Sequence, residues 1–502
     1  MSSKPHIVIF NPDQWRGDAL GHMGHPAVQT PNLDRLARED GVSFRHAYCQ
    51  NPVCTPSRCS FMSGWYPHVR GHRSMVRMLH QPEEHCLLST LKNAGYYVWW
   101  GGKNDLIPAQ EGFDSVCDVK YSSGYHAIHD PNVPQPKPLY ATDKAAEWRG
   151  DPDGDNFYSF YVGEIDKGDA EYYRDYDWAC VEGALDAIRN APADQPLCLF
   201  LALAYPHPPY GVEQPWYGLT DRDACPKRAP GPEQWKGKTQ FMNQYHERLR
   251  CGDWSDARWR ELQGVYFDMC ARVDHQVGLI IEALKKKQMY DDTAFFFFPD
   301  HGDYAGDYEL VEKHSTCFED CLTRVPFIIK PPAGTPVTPG IRDSLMELVD
   351  FPATVEELTG IRMPEVHFGR SLLPVLADPA APHREHVLCE AGKLKAEHDR
   401  TPGEMKGELP DKNGQYWAKQ STAYDDYRNI GKAFMLRTAT HKLIKRLYEP
   451  DELYDLQADP FEVRSVHDDP AYADILADLE RRLFDTMLNT SDIIPSGFDK
   501  RE

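Results

Sequence analysis

The sequence predicts an α/β fold: a large, mostly parallel, doubly wound sheet flanked by helices, followed by a smaller C-terminal α+β domain with an antiparallel sheet. Three observations carry this. Short apolar runs alternate with segments of helical periodicity through the first three quarters of the chain. These runs are continuous rather than alternating, which suits strands covered on both faces, as in parallel sheets. The composition then shifts near residue 376, where Ala377-Asp378-Pro379 reads as a linker into a lysine-rich region. The expected division is a larger α/β domain over 1–375 and a smaller α+β domain over 376–502 that completes the rim of any pocket on the larger one.

The elements follow in order. His6–Phe10 reads as a buried strand leading into a loop over Asn11–Gly17. Thr30-Pro31 offers an N-cap and a first-turn proline for a helix over Asn32–Arg38. Further strands are expected at Tyr96–Trp100, Leu197–Ala204, Thr293–Phe298 and Val325–Lys330, and further helices at Trp178–Arg189, Trp259–Lys287 and Ser344–Leu358. Phe434–Arg437 and His441–Arg446 look like hairpin strands, and Tyr472–Met487 like a terminal amphipathic helix. Residues 105–175 and 205–255 are rich in Pro, Tyr, Trp, Asp and Gly and lack periodicity. Two readings of these stretches stand: pocket walls beyond the carboxyl ends of the strands, or surface insertions. Their aromatics Trp148, Tyr158, Trp216 and Trp254 either stack a sugar ring or pack together.

Composition bounds the function. The chain has 502 residues, a length suited to about two to four domains. Its formal charge of −22 argues against nucleic-acid or acidic-membrane binding, since polyanions select basic surfaces. The longest uncharged run, Gln195–Val212, is broken by four prolines and spans no bilayer. The N-terminus lacks a secretory pattern, and 13 cysteines without paired spacing point to a reducing cytoplasm. A homo-oligomer is compatible with this composition.

The chemistry concentrates around Pro52-Val53-Cys54-Thr55-Pro56-Ser57-Arg58. Pro56 suits the first turn of a helix, which places Cys54 near a helix N-terminus, where anions are favoured, with Arg58 on the same turn. A cysteine there is a reactive thiolate or an anion-site residue. Asp13, Asp300 and His301 all fall just past the carboxyl ends of expected parallel strands and so converge. With the amide of Gln14 they form an oxygen-rich donor set for a divalent cation.

Cys54-Thr55-Pro56-Ser57-Arg58, ahead of Phe61-Met62-Ser63-Gly64, resembles the signature of the type I, formylglycine-dependent sulfatases of the alkaline phosphatase superfamily. Ser63 is a mild departure from the family's preferred Thr, Ala or Arg. Asn11-Pro12-Asp13-Gln14 and Pro299-Asp300-His301-Gly302 resemble the family's two metal loops. Gly102-Lys103, Pro206-His207-Pro208 and Lys313-His314 resemble its substrate loops, and Glu452–Leu456 with Asp459-Pro460 its C-terminal signature. The resemblance covers nearly the whole chain and implies an alkaline phosphatase-like fold. Many sulfatases carry a second Asp beside the first and an Asn in place of His301. The Asp-Gln and Asp-His pairs instead resemble phosphonate monoester hydrolases of the same superfamily.

The resemblance implies hydrolysis of a small anionic ester, a carbohydrate or aryl sulfate, with a phosphonate monoester or phosphodiester as the alternative. It implies that Cys54 is oxidised by a formylglycine-generating enzyme and that one divalent cation sits on Asp13, Gln14, position 54, Asp300 and His301. Ca²⁺ is the first expectation, with Mn²⁺ or Mg²⁺ behind it. Arg58, Lys103 and Lys313 are expected to neutralise the ester's oxygens, and His207 to protonate the leaving oxygen. Either Asp105 or His314 is the base that regenerates the aldehyde.

Overall fold

The computed structural model describes residues 4–81, 83–121, 147–400 and 409–494. An eight-stranded sheet forms the centre. Its strands are β1 (His6–Asp13), β2 (Val42–Tyr48), β3 (Tyr97–Gly102), β4 (Val119–Lys120), β6 (Leu197–Pro206), β8 (Thr293–Phe297), β9 (Arg324–Lys330) and β10 (Gly340–Glu347). They lie in the order β10-β2-β9-β8-β1-β6-β3-β4. β1 runs parallel to both its neighbours, with Val8 beside Leu199 and Phe295.

Both faces of this sheet are buried, which explains the continuous apolar runs. Val8, Phe10, Leu199, Leu201, Phe295 and Phe297 point into one core with the Asp256–Lys286 and Tyr176–Arg189 helices. Ile7, Ile9, Phe200, Phe296 and Phe298 point into the other with the Cys54–Ser63 and Asp350–Thr359 helices. Burying such side chains stabilises by about 1.5–3 kcal/mol each.

The local elements depart from expectation in instructive ways. β1 continues through Asn11, Pro12 and Asp13, where a loop was expected, although its register against β6 breaks between Asn11 and Asp13. Ser344–Glu347 is strand rather than helix, because Leu345 and Met346 pair with His46 and Ala47 of β2 and tertiary pairing overrides helix propensity. β2 itself has no sequence counterpart above, since Val42–Tyr48 interrupts its apolar residues with Ser, Arg and His. β9 runs antiparallel to β2 and β8. The segment from β8 to β9 stays at the carboxyl edge of the sheet, so β9 starts where β8 ends. The helix after Thr30 covers only Pro31–Arg35 before a π-turn over Leu36–Asp40. Thr30 does not cap it. The Asp274 carboxylate accepts from the N–H groups of Asn32 (3.1 Å) and Leu33 (2.8 Å) instead.

The two aperiodic stretches meet: β5 (Tyr161–Ile165) pairs in parallel with β7 (Tyr210–Glu213). Three of their aromatics, Tyr158, Trp216 and Trp254, are buried against aromatic side chains of neighbouring helices. Tyr158 lies 5.2 Å from Trp417, Trp216 5.9 Å from Trp178 and Trp254 4.8 Å from Trp259, ring centre to ring centre.

Toward the C-terminus, β11 (Val387–Ala391), β12 (Ala433–Arg437), β13 (His441–Arg446) and β14 (Glu452–Asp455) form a separate antiparallel sheet in sequence order. The Ala473–Thr490 helix sets Leu479 and Leu483 against Leu388, Leu436, Leu443 and Leu453. Ion pairs tie this sheet to the larger one: Asp320 meets Lys442 at 2.8 Å and Arg437 at 3.2 Å. No helix among the described residues is long and apolar enough to cross a membrane. No disulfide links the thirteen cysteines.

Gly102 closes β3 in the left-handed region, φ +94°, and a Cβ there would sit 2.0 Å from the Ala202 carbonyl oxygen. Gly95 has the same sign of φ, +93°, with nothing within 4 Å of a Cβ. Gly95→Ala is therefore expected to cost about 1 kcal/mol, from backbone strain alone. Gly102→Ala should cost at least about 3 kcal/mol because strain and clash add. Urea denaturation of the two variants checks the difference.

Candidate active site

Four loops at the carboxyl edge of the large sheet build the site. β1 delivers Asp13 and Gln14, β3 delivers Lys103, β6 delivers His207, and β8 delivers Asp300 and His301. The Cys54–Ser63 helix enters from one face with Cys54 as its first residue and Val53 as its N-cap. Val53 has no polar side chain, so nothing from the cap competes for the free N–H groups of that first turn.

Asp13, Cys54, Asp300 and His301 each offer one donor atom within 4.8 Å of the others, and all four are buried. Cys54 Sγ lies 3.3 Å from His301 Nε2 and 3.6 Å from Asp13 Oδ1. His301 Nδ1 is 2.9 Å from the Gly302 carbonyl oxygen, which can only accept. The proton therefore sits on Nδ1 and the Nε2 lone pair faces the cluster, the tautomer a metal ligand requires. Two carboxylates and such an imidazole fit a divalent cation.

Arg58 holds the acids in place. Its Nη1 donates to Asn11 Oδ1 (2.7 Å), its Nη2 to Asp13 Oδ2 (3.2 Å) and its Nε to Asp300 Oδ2 (2.9 Å). Lys103 Nζ donates to Asp13 Oδ2 at 2.5 Å and lies 3.8 Å from Cys54 Sγ and 3.2 Å from Asp105. Lys313 Nζ donates to Gln14 Oε1 at 2.5 Å, and Gln14 Nε2 donates to Asp303 at 2.6 Å. Gln14 thus bridges the acid cluster to Lys313, with its backbone at φ 67°.

His207 Nδ1 donates to the Pro208 carbonyl at 2.6 Å, so Nε2 is the atom free to exchange a proton. Asp177, at the start of the Tyr176–Arg189 helix, accepts from the N–H groups of Ala204 (2.8 Å) and Tyr205 (2.7 Å) and holds the strand end that leads to His207. The two candidate bases separate. Asp105 stands beside Lys103 and 3.9 Å from Arg58, whereas His314 stacks on Phe241 with ring centres 3.5 Å apart and meets the Thr316 hydroxyl at 3.0 Å.

Burial and charge set the ionisation. Burial pushes the Asp13 carboxyl up, but the surrounding cations, Lys103 first, reverse this and hold it well below the usual carboxylate range. Burial pulls Lys313 down, and its carboxylate neighbours Glu312 and Asp13 help to raise it well above an ordinary lysine. Burial and then Asp13 push the Cys54 thiol up, so the unmodified residue is a thiol and not the thiolate its helix position suggested. Burial, then Lys313, pulls His207 well below an ordinary histidine.

Sequence reasoning missed Asn11, Ser57, Asp303 and Glu312. Asn11 has no signal beyond its place beside Asp13. Ser57 donates to the Asp300 carbonyl at 2.6 Å and lay within the quoted motif. Asp303 is fully buried and accepts from both Gln14 and Tyr210. Burial raises its carboxyl to about 7.

The family model described as Sulfatase matches residues 5–361, and that described as N-sulphoglucosamine sulphohydrolase, C-terminal, matches residues 400–489. A multifunctional alkaline phosphatase superfamily protein of Trinickia caryophylli is 24% identical over 98% of this chain and 96% of its own. An arylsulfatase of Clostridium perfringens is 26% identical over 77% of this chain and 81% of its own. Among solved structures, a phosphonate monoester hydrolase of Agrobacterium radiobacter superposes with a TM-score of 0.72 at 20% identity, covering 97% of this chain and 96% of that one. A protein solved in complex with its substrate D-glucosamine-2-N,6-O-disulfate reaches 0.71 at 19% identity, covering 97% and 98%.

Arg58→Met leaves Asp13 and Asp300 without their shared counter-charge. The metal-free variant should lose about 3–5 kcal/mol of stability in urea denaturation, the usual cost of stripping one partner from buried ions. Millimolar Ca²⁺ or Mn²⁺ should return part of that loss, because a cation on the same carboxylates replaces the missing charge.

Proposed function

The chain belongs to the sulfatase family, hydrolases that act on sulfuric esters, and from that premise we propose that it cleaves a carbohydrate or aryl sulfate to an alcohol or phenol and inorganic sulfate. The observation that carries the reading is the placement of Cys54, at a helix N-terminus, among Asp13, Asp300 and His301 and under Lys103. The family implies formylglycine at position 54, so the sulfur described above stands where an oxygen of the hydrated aldehyde would be, and that group supplies an oxygen nucleophile in place of the thiol. The family also implies a divalent metal; Asp13, position 54, Asp300, His301 and, by our assignment, Gln14 would hold it, and it supplies Lewis-acid stabilisation of developing negative charge. Ca²⁺ is our first assignment, ahead of Mn²⁺ and Mg²⁺.

The chain's own residues do the rest. Arg58, Lys103, Lys313 and Lys419 carry four positive charges against the four carboxylates of Asp13, Asp105, Asp300 and Glu312, so the side chains balance and a bound metal would make the site cationic. Lys103 and Lys313 draw the ester's anionic group toward position 54 and stabilise charge as the S–O bond breaks. His207 Nε2 gives its proton to the leaving oxygen. Its depressed basicity makes the imidazolium a strong acid once the substrate's negative charge helps to form it. Asp105 is our assignment for the base of the second half-reaction, since it sits beside Lys103, whereas His314 is committed to Phe241. A formylglycine-generating enzyme is the partner this reading requires.

A second reading has its own support. Gln14 and His301 take the place of the Asp and Asn found in many sulfatases, and phosphonate monoester hydrolases are among the structural neighbours. That reading is hydrolysis of a phosphonate monoester or phosphodiester by the same groups. A panel of aryl sulfates, sulfated sugars, aryl phosphonates and phosphodiesters decides, and a kcat/KM strongly favouring phosphonate overturns the first reading.

Three outcomes are expected beyond the panel. Peptide mass spectrometry of active protein should show residue 54 with sulfur and two hydrogens replaced by one oxygen, and Cys54→Ala should abolish turnover while the protein still unfolds cooperatively. His207→Ala should lower kcat by about 10²–10⁴ on an alkyl sulfate and much less on 4-nitrophenyl sulfate, whose leaving group needs little protonation.

A further inference from the structure

Behind Lys313 lies a buried ionic group that the reaction as described does not use. Glu312 is 1% exposed. Its Oε1 accepts from Lys313 Nζ at 2.7 Å, and its Oε2 accepts from Lys419 Nζ at 2.7 Å and from the Lys313 N–H at 2.8 Å. Lys419 lies on the Trp417–Asp425 helix, 107 residues further along the chain, and is itself buried. His207 Nε2 is 3.7 Å from Glu312 Oε1, close enough to feel its charge and too far to be tied up by it.

The backbone of Glu312 is held as tightly as its carboxylate. At φ 62° it occupies the left-handed region, which a non-glycine residue keeps only when its surroundings over-determine it. Its N–H donates to the Tyr210 hydroxyl (2.8 Å), and that hydroxyl donates to Asp303 Oδ1 (2.8 Å). Asp303 Oδ2 accepts from Gln14, and Gln14 Oε1 accepts from Lys313. The chain of bonds closes on itself: Lys313, Glu312, Tyr210, Asp303, Gln14 and back to Lys313. Within it the Lys313 ammonium has a fixed direction.

Charge makes Lys419 necessary to this arrangement. A buried Glu312 paired with Lys313 alone would cancel the cation that the ester's anionic group is to meet. With Lys419 on the second carboxylate oxygen, the trio carries a net single positive charge at the site. We propose that Glu312 and Lys419 are positioning residues of the active site, Glu312 aiming Lys313 and Lys419 cancelling the charge of Glu312 so that Lys313 acts on the substrate at full strength. The inference rests on the anionic-ester reading above. It makes a helix of the C-terminal region part of the catalytic electrostatics.

A double-mutant cycle tests it, with kcat and KM measured on 4-nitrophenyl sulfate and inorganic sulfate binding measured by calorimetry. Lys419→Met should lower kcat/KM about tenfold to a hundredfold and weaken sulfate binding, because Glu312 then masks Lys313. Lys419→Arg, which keeps the charge, should retain most of the activity. The combined Glu312→Gln, Lys419→Met protein should recover about tenfold or more over Lys419→Met, since the uncompensated carboxylate is gone. Glu312→Gln alone should lower kcat while tightening sulfate binding, a split that loss of packing does not produce. Multiplicative losses in the double variant, an arginine variant as poor as the methionine one, or parallel loss of kcat and sulfate affinity in Glu312→Gln each overturn the proposal. Should Lys419→Met fail to fold, the Glu312→Gln split and the arginine variant still decide. Wild-type protein that binds sulfate but turns over only the phosphonate refutes the sulfate-ester reading and leaves the pair to be judged by the same cycle on that ester.

Discussion

The site depends on one guanidinium. β1 and β8 are adjacent and parallel, so Asp13 and Asp300 emerge side by side at the same edge of the sheet, in a place with no water to screen them. Two ionised carboxylates so placed repel strongly, and the ordinary outcome is that one takes up a proton. Arg58 lies between them and reaches Asn11, Asp13 and Asp300 at once with a rigid fork of donors, which an ammonium on a flexible stem cannot match. It lies one turn beyond Cys54 on the same helix. The contact that bridges both acids therefore also fixes where position 54 sits.

The remaining site follows from direction rather than from composition. Parallel strands put the residues after each of their carboxyl ends on one rim, so loops far apart in sequence, at 13, 103, 207 and 300, meet there. The helices on either face supply what the rim lacks: Cys54 and Arg58 from one side, and from the other Asp177, which fixes the end of β6 before His207.

What could be read from the sequence was whatever a single segment states by itself. Val8, Leu199 and Phe295 sit in runs whose continuity betrays two covered faces. Cys54, Pro56 and Arg58 lie close enough to be read as one helical turn. Asp13 and Asp300 each follow a recognisable strand. What stayed hidden needs two segments to be stated. Ser344–Glu347 reads as helix until β2 lies beside it, and Val42–Tyr48 is a strand chiefly because it has neighbours. Glu312 and Lys419 are ordinary charged residues in sequence and acquire a role only when 107 intervening positions fold away between them. The fate of the Cys54 thiol was likewise hidden, because burial outweighs the helix terminus and no local pattern reports burial of that depth.

The ion pairs between the two sheets carry a consequence for ancestry. Asp320 of the larger part leans on Arg437 and Lys442, Glu312 leans on Lys419, and Arg446 reaches back to the Thr316 carbonyl at 2.9 Å. Each pairing is an acceptor on one side answered by a cation on the other, across a largely buried contact. Recombination that exchanged the C-terminal sheet for one from a distant relative would leave those acceptors without their cations. The two halves are thereby bound to be inherited as one piece.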